Sequence, residues 1–432
     1  MRRRIAYTWQ NIALIIIGII AVVTVLFNLF TPIGNNIRSL TLSEDVSVTD
    51  PAFIPTISTL TNTPISSASS IKLINNGEAF MTSLLSDIKN AKETIHLSNY
   101  IWEEGVLANE LMNALIAKQK EGVQVRLLVD ANGGKKIPKE LVRQLTDAGG
   151  KVSSFRPGIP GKLTMYHMRL HRRAMIIDSS IAYTGGIGFA DRWLGDARNP
   201  KEWRDIMVRT EGPALSGIQS AFAELWTATS GEILIEQPSS QKNQKNTANT
   251  PETIAFESSP VEDIGLLSKL FTTSILAAKK SIYITTPYFI PDKSIREAVI
   301  QKAKEGVDVE LILPNNLTDT KSVRFAGQSF YAELLDAGVH VYEYQPTFIH
   351  SKYLVIDGVW SIVGSANMDN RSLYLNEENV LGVLDPNFGG VITERFMEDR
   401  SQSKEITKEE WKKRNIFLRI AQGSSRLFSQ QF

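Results

Sequence analysis

The order of apolar and polar positions predicts the same run of strands and helices twice along this chain. In the first half, an apolar, β-branched segment (93–102) precedes a helix-periodic segment (107–122), an apolar strand (123–132) and a helix leading into a strand (139–152). The second half repeats this order at residues 281–290, 294–316 and 331–344. Because strands alternate with helices, we predict an α/β fold of two homologous halves, each a mixed, largely parallel sheet flanked by helices.

Two octapeptides hold the repeat in register. "HRRAMIID" occupies residues 171–178 and "HSKYLVID" occupies residues 350–357. The histidines, the aspartates and the first glycine of the turn that follows are all separated by the same distance (350 − 171 = 179, 357 − 178 = 179, 364 − 185 = 179). A constant offset through a strand and a turn predicts that both halves contribute a histidine to one site.

The N-terminus predicts a membrane anchor. An apolar run extends from Ile12 to Phe30, which is long enough for a helix to cross the hydrocarbon core of a bilayer. A cleaved signal peptide and a buried core helix are the alternatives. Because Arg2, Arg3 and Arg4 precede the run, we expect a single-pass protein of the cell membrane with a cytoplasmic N-terminus and the catalytic part on the outer face.

Composition shifts divide the rest of the chain. We predict a transmembrane anchor (1–35), a Ser/Thr-rich flexible tether (36–70), a first half (71–236), a polar linker (237–262), a second half (263–400) and a basic amphipathic C-terminal segment (401–432). In that last segment, basic side chains beside Trp411 favour contact with an anionic lipid surface, with a helix packed on the core as the alternative.

Overall composition excludes several classes. The 432 residues carry a formal net charge of +1, so nucleic acid is not expected as a partner. The chain has no Cys, which excludes disulfides, thiolate zinc sites and cysteine nucleophiles. The oligomeric state is left open.

The repeated motif is typical of phosphate chemistry. In an extended strand, each motif histidine and the cation two residues later (Arg173 or Lys352) share one face. Cations neutralise phosphate oxygens, while one imidazole attacks phosphorus and the other protonates the leaving oxygen. No metal or cofactor is needed for this chemistry. A zinc site is the competing hypothesis, but only His167 and His171 have the spacing of a ligand pair.

The doubled H-x-K-x₄-D motif, followed by G-S-x-N, resembles the phospholipase D superfamily. The segments at residues 171–193, 202–226 and 331–379 resemble bacterial cardiolipin synthases within it, and the likeness covers about residues 71–432. The resemblance implies phosphatidylglycerol and other phospholipids as substrates and the bilayer as a partner. The chain departs from the family pattern at two positions of the first half, where Arg173 replaces Lys and Gly188 replaces Asn.

The resemblance also implies roles for individual residues. His171 would be the nucleophile and His350 the general acid, with Asp205 and Glu378 orienting the imidazoles. Asp178 and Asp357 belong to the same catalytic motifs, where they are expected to anchor the strands. The phosphate would be held by five residues: Arg173, Lys352, Asn367, Gly186 and Ser365.

The implied function is a membrane-anchored phosphatidyltransferase that makes cardiolipin from two phosphatidylglycerol molecules through a phosphohistidine and releases glycerol. Two alternative functions remain: a phospholipase D-type enzyme that hydrolyses phospholipid, and a catalytically weak membrane scaffold. A further hypothesis is a co-adapted pair, in which Gly188 makes room for the larger head of Arg173.

Overall fold

The computed structural model of the protein describes residues 2–30, 39–155, 168–235, 250–260 and 265–426. Up to residue 235 the helices are α1 (Arg2–Phe30), α2 (Phe53–Thr61), α3 (Asn76–Asn90), α4 (Val106–Lys120), α5 (Lys139–Asp147) and α6 (Leu215–Ser230). The strands are β1 (Ser66–Ser67), β2 (Ser70–Asn75), β3 (Thr94–Asn99), β4 (Gln124–Asp130), β5 (Lys151–Phe155), β6 (Ala174–Ile177), β7 (Ile181–Gly185) and β8 (Ile206–Glu211).

From residue 250 onward the helices are α7 (Leu266–Leu276), α8 (Lys293–Lys304), α9 (Lys321–Gln328), α10 (Tyr331–Asp336), α11 (Asn370–Tyr374), α12 (Pro386–Ser401), α13 (Lys408–Lys412) and α14 (Ile416–Arg426). The strands are β9 (Glu252–Ser258), β10 (Ser281–Thr285), β11 (Phe289–Ile290), β12 (Asp308–Pro314), β13 (His340–Tyr344), β14 (Tyr353–Ile356), β15 (Trp360–Gly364), β16 (Met368–Asp369), β17 (Glu378–Leu384) and β18 (Ser403–Glu405). The predicted βα elements are confirmed in both halves.

Two large sheets repeat one topology. The first has the strand order β2-β8-β7-β6-β3-β4-β5, and the second has the order β1-β9-β17-β15-β14-β10-β12-β13-β18. In each sheet the motif hairpin (β6–β7 or β14–β15) lies between a parallel three-stranded part and an antiparallel part. The motif strand therefore occupies the centre of its sheet, where neighbours on both sides fix its position.

The prediction of largely parallel sheets is wrong. Parallel pairing is confined to β3–β4–β5 in the first sheet and β10–β12–β13 in the second. The motif strands instead return through tight hairpins, and β8 and β17 continue the antiparallel pairing. Parallel neighbours need a long crossover such as a helix, whereas a short turn makes the next strand antiparallel. Three-residue turns (178–180 and 357–359) follow both motif strands.

A shared apolar core joins the two halves face to face. One cluster of buried residues combines first-sheet side chains such as Ile176 and Val208 with second-sheet side chains such as Val355, Val363 and Leu381. Burying each aliphatic side chain of this size contributes about 1.5–3 kcal/mol. Because the sheets pack directly on each other, the histidine motifs of both halves are held at a fixed separation.

The predicted flexible tether is wrong over the part that the structure describes. Val48, Phe53, Ile54 and Ile57 are buried in the core of the second half, and the ring of Phe53 packs edge-on against Trp360 with centroids 5.4 Å apart. Three of these apolar residues lie on one face of α2, which gives a short helix enough buried surface to dock. Residues 36–38 lie outside the described part of the chain.

Two other predicted segments also need correction. The last part of the predicted linker (237–262) contains β9, which pairs with β17 over its whole length, while residues 237–249 and 261–262 lie outside the described residues. Trp411 of the C-terminal segment does not face lipid. Its ring is buried against Tyr331, with centroids 4.9 Å apart, and the Arg414 guanidinium covers it.

Helix α1 lies apart from this core. Its large apolar side chains from Trp9 to Val23 are exposed. Across the described residues, no helix meets the length and hydropathy required of a bilayer span.

Asp178 and Asp357 fix the motif hairpins to neighbouring strands. The Asp178 carboxylate accepts the backbone N–H groups of Lys92, Glu93 and Thr94 at 2.7–2.9 Å. Asp357 accepts the three equivalent N–H groups at the start of β10, those of Lys279, Lys280 and Ser281, also at 2.7–2.9 Å. Both aspartates have positive φ (50° and 53°), as the tight turns of such hairpins require. The two aspartates therefore anchor the motif strands, as expected. Their inclusion among the predicted catalytic residues is corrected.

We predict that Asp178→Ala lowers the free energy of unfolding by about 2 kcal/mol, because three N–H groups lose a charged acceptor. Urea unfolding followed by tryptophan fluorescence measures this change. Asp147→Ala is the control: that carboxylate is exposed and pairs with Arg143 at 3.2 Å, so its loss should change stability by well under about 1 kcal/mol. Unchanged stability with a lost reaction rate in Asp178→Ala would instead assign this residue to the chemistry.

Candidate active site

Backbone pairing between the halves brings the two motifs together. The N–H of His171 donates to the carbonyl of Glu377 at 2.9 Å, and the N–H of His350 donates to the carbonyl of Arg204 at 2.7 Å. In both cases the residue after the acceptor carries a carboxylate that was predicted to orient an imidazole. Each histidine is thus placed beside the carboxylate segment of the opposite half.

The imidazole–carboxylate pairs are crossed between halves. His171 Nδ1 lies 2.8 Å from Glu378 Oε2, and His350 Nδ1 lies 2.7 Å from Asp205 Oδ2. An anionic carboxylate at Nδ1 keeps the proton on that nitrogen and leaves Nε2 as the reactive nitrogen. The structure therefore brings together all four residues that the sequence proposed for the proton chemistry.

Each carboxylate is itself held by further donors. Glu378 Oε2 accepts the hydroxyl of Ser365 at 2.5 Å, and Asp205 Oδ2 accepts the indole N–H of Trp193 at 3.0 Å. Gly186, the first-half equivalent of Ser365, packs so closely on Asp205 that a Cβ would lie 2.1 Å from Oδ1. The backbone N–H groups of both residues are also used, by the carbonyls of Ile206 and Asn379. Assigning Gly186 and Ser365 to phosphate binding is therefore corrected: they support the carboxylates.

The two motif cations lie under the histidines. Arg173 donates to the carbonyl of His171 at 2.7 Å, and the Lys352 ammonium contacts the carbonyl of His350. Lys352 Nζ also lies 2.8 Å and 3.0 Å from the two ring nitrogens of His350. Both cations are buried, and Arg173 Nε is a buried donor that has no partner among the described residues.

The site opens into a cavity of about 510 Å³. His171, His350, Arg173 and Asn367 line it, and the buried Asn367 Oδ1 has no partner within the described part of the chain. The sequence reasoning missed most of the remaining lining, which consists mainly of aromatic and charged residues: Tyr100, Ile101, Arg169, Arg192, Trp193, Trp203, Tyr288, Asp319, Thr320, Val323, Asp369, Arg371 and Asn376. Two of them, Arg192 and Arg371, also obey the repeat offset (371 − 192 = 179), which could have identified them.

Burial controls protonation in this site. It lowers the pKa of His171 to about 4, aided by the charge of Arg173 and opposed by Glu378. Burial and Lys352 lower the pKa of His350 to about 3 against the effect of Asp205. Burial is also the main reason that the pKa of Lys352 falls to about 7. Without substrate, both imidazoles are therefore neutral at neutral pH, and the pKa of Lys352 lies close to neutral pH.

The carboxylates stay ionised. Burial, the largest influence, raises the pKa of Glu378, but His171 and the hydrogen bond from Ser365 outweigh it and leave that pKa below its usual value. For Asp205, burial is outweighed in the same way by His350 and Lys352. Both carboxylates can therefore stabilise an imidazolium as it forms.

The space above Gly188 is filled by protein. A Cβ at this position would lie 2.9 Å from the Trp193 ring and 3.0 Å from Ile101. The room that a glycine leaves is taken by these side chains, so the idea that Gly188 accommodates the guanidinium of Arg173 is wrong. Restoring Asn at this position would require Trp193 to move.

A zinc site is the competing prediction from the sequence. Within the described ranges, no three His, Asp or Glu side chains converge as a metal site would require. His167, half of the only ligand-like pair in the sequence, lies outside those ranges.

Two histidines backed by crossed carboxylates, on two stacked sheets of the same topology, form the double-motif site that the resemblance to the phospholipase D superfamily implies. The family model described as "Cardiolipin synthase, PLD-like domain" matches residues 84–226 and 271–400. The chain belongs to this cardiolipin synthase family.

Individual relatives agree with that assignment. Cardiolipin synthase 2 of Bacillus anthracis is 34% identical over 366 residues, which span 84% of this chain and 71% of the relative. Cardiolipin synthase 1 of Staphylococcus epidermidis is 36% identical over 365 residues, spanning 83% and 73%. The crystal structure of phosphatidylserine synthase from Haemophilus influenzae shares the fold, with a TM-score of 0.68 at 14% identity, covering 88% of this chain and all of that one.

We predict that kcat/KM falls as pH rises through about 7, because Lys352 loses its charge there and the phosphate site loses a cation. It should also fall below about pH 4, where His171 becomes protonated and cannot attack. Lys352→Arg should remove the fall in kcat/KM above about pH 7 (the upper limb of the pH profile), since a guanidinium stays charged.

The control for that pH profile is Lys404→Arg, at an exposed lysine that pairs with Glu410 at 3.3 Å. Its profile should match the wild type. An upper limb that persists unchanged in a folded Lys352→Arg protein would show that another group titrates.

Proposed function

We propose that this protein transfers a phosphatidyl group from one phosphatidylglycerol molecule to another, forming cardiolipin and releasing glycerol. The observation that carries the proposal is the pair of histidines, each backed by a carboxylate of the opposite half, at one cavity. Membership of the cardiolipin synthase family supports the lipid substrate.

The first step forms a phosphohistidine. Nε2 of His171 attacks the phosphorus of the donor lipid, and the bond from phosphorus to the glycerol oxygen breaks. His350 gives a proton to that oxygen, so that glycerol leaves as a neutral alcohol. Arg173, Lys352 and Asn367 hold the phosphate oxygens, and the charge of the two cations stabilises the transition state.

The second step reverses this proton transfer. A hydroxyl of the acceptor lipid gives its proton to His350, and its oxygen forms a bond to phosphorus while the bond from phosphorus to nitrogen breaks. His171 is released in its neutral form, and His350 holds the proton that the next cycle requires. The atoms and protons of the two steps therefore balance.

Two features support His171 as the nucleophile. The family resemblance assigns the covalent role to the first motif. The ring of His350 lies among Trp193, Trp203 and Phe348, with centroids within 5.8 Å, and also touches Lys352. Among the described aromatic contacts of His171, the ring neighbour is Tyr100, with centroids 5.4 Å apart, so this imidazole is packed by fewer aromatic rings than His350 is.

Substrate binding supplies the protonation state that the acid needs. The charges of Lys352 and Arg173 lower the pKa of His350 in the empty cavity. A phosphodiester monoanion beside them offsets those charges, which raises the pKa of His350.

The anchor is a separate part of the proposal. The apolar side chains that α1 exposes suit a lipid environment, and the arginines before them suit a cytoplasmic N-terminus. We place the catalytic part at the outer face of the cell membrane on this basis. The spanning helix itself stays a prediction.

The detergent-solubilised protein tests the reaction directly. With phosphatidylglycerol as the only lipid, we expect cardiolipin and glycerol in equal amounts, measured by mass spectrometry. His171→Ala and His350→Ala should each lower the rate by about 10³-fold or more, and the double variant should be little worse, because the two act as a unit. Phosphatidic acid as the main product would show a hydrolase instead, and near-normal turnover in either variant would contradict a shared site.

A further inference from the structure

The wall of the cavity carries a second pair of cations in addition to Arg173 and Lys352. Arg169 lies two residues before His171, and Arg371 lies four residues after Asn367. Both side chains line the same cavity as the motif histidines. A single phosphodiester monoanion bound by Arg173 and Lys352 does not account for a second pair of cations in the cavity.

Arg169 and Arg371 are held on adjacent segments of the cavity wall by their backbones. The carbonyl of Arg371 accepts the N–H of Asn376 at 2.8 Å, and the carbonyl of Arg169 accepts the N–H of the next residue, Glu377, at 2.9 Å. Burial raises the pKa of Tyr100, while the charges of Arg169 and Arg371 and a hydrogen bond from Arg169 oppose that shift. Burial lowers the pKa of Arg371, and Arg169 lowers it further against the opposing effect of Asp369. Two like charges on a partly buried wall favour an anion between them.

The equivalent residue of the first half shows a different arrangement. Arg192, at the repeat offset from Arg371, forms a bidentate ion pair with Glu103 at 3.0 Å and 3.1 Å. Its guanidinium also lies over the rings of Trp193 and Trp203, about 5 Å from each centroid. Arg192 thus pairs with a carboxylate and packs on two indole rings within the first half.

The proposed reaction places a second phosphate in this cavity. When the acceptor hydroxyl attacks the phosphohistidine, the acceptor lipid carries its own phosphodiester three carbons away. That group is a monoanion beside a phosphorus centre that already bears negative charge, so it needs cations of its own.

We propose that Arg169 and Arg371 form a second anion subsite, which binds the phosphodiester of the acceptor lipid while Arg173 and Lys352 hold the donor phosphate. This assignment rests on the proposed function. It makes the enzyme selective for acceptor alcohols that carry a phosphate over neutral alcohols. Donor cleavage needs only the motif cations and is independent of the subsite.

Matched acceptors separate the two steps. Glycerol and glycerol 3-phosphate differ by one phosphate, and labelled glycerol exchanging into phosphatidylglycerol reports donor cleavage with a neutral acceptor. For Arg169→Gln and Arg371→Gln, we expect kcat/KM with glycerol 3-phosphate, and the rate of cardiolipin formation, to fall about tenfold or more. Labelled-glycerol exchange should stay within about twofold of the wild type. Arg371→Lys, which keeps the charge, should retain part of the preference.

Arg143→Gln is the matched control, since this exposed arginine pairs with Glu140 at 2.6 Å on the surface of α5 and its loss should leave the acceptor preference unchanged. Equal losses with both acceptors would place Arg169 and Arg371 in donor binding and overturn the subsite. Unchanged rates with both would also overturn it. A wild type that exchanges glycerol but makes no cardiolipin would contradict the proposed function, and the glycerol 3-phosphate arm would still decide the subsite.

Discussion

The active site depends on one constraint: the carboxylate that orients each histidine comes from the other half of the chain. Neither half therefore holds a complete catalytic unit. Two buried ion pairs between the halves stabilise this arrangement. Arg172 pairs with Glu377 at 3.0 Å, and Arg204 pairs with Asp399 at 2.9 Å and 3.0 Å. Breaking a buried pair of this kind costs about 3–5 kcal/mol, because it leaves an uncompensated charge. The shared core between the sheets and these pairs together keep both imidazoles in register.

The internal repeat makes the two halves of the site similar, and local differences between the halves distinguish the two sides of the cavity. His350 is packed among aromatic rings over a lysine, while His171 lies over an arginine and has Tyr100 as its ring neighbour. Two chemically identical lipids must play unlike parts in the proposed reaction, as donor and as acceptor. Local differences such as these, rather than the shared motif, give the two sides of the cavity different tasks.

The sequence located the residues of the candidate site better than it predicted the architecture. Both histidines and both orienting carboxylates were found, because each lies in a distinctive motif. Their crossed pairing could not be found, since it depends on how the two sheets stack. The separation of the carboxylates (378 − 205 = 173) also differs from the repeat offset and hides their equivalence. Trp411 was misplaced because an amphipathic, basic helix has the same pattern whether it faces a membrane or a core.

The most direct test of the crossed pairing is the ¹⁵N spectrum of the histidine side chains, which reports the tautomer of each ring. The account predicts that Glu378→Gln changes the tautomer balance of His171 alone and that Asp205→Asn changes that of His350 alone. The exposed His340, paired with Glu405 at 3.0 Å, serves as an internal reference that neither substitution should move. Spectra in which each substitution perturbs the histidine of its own half, or both histidines equally, would contradict a site assembled from crossed pairs.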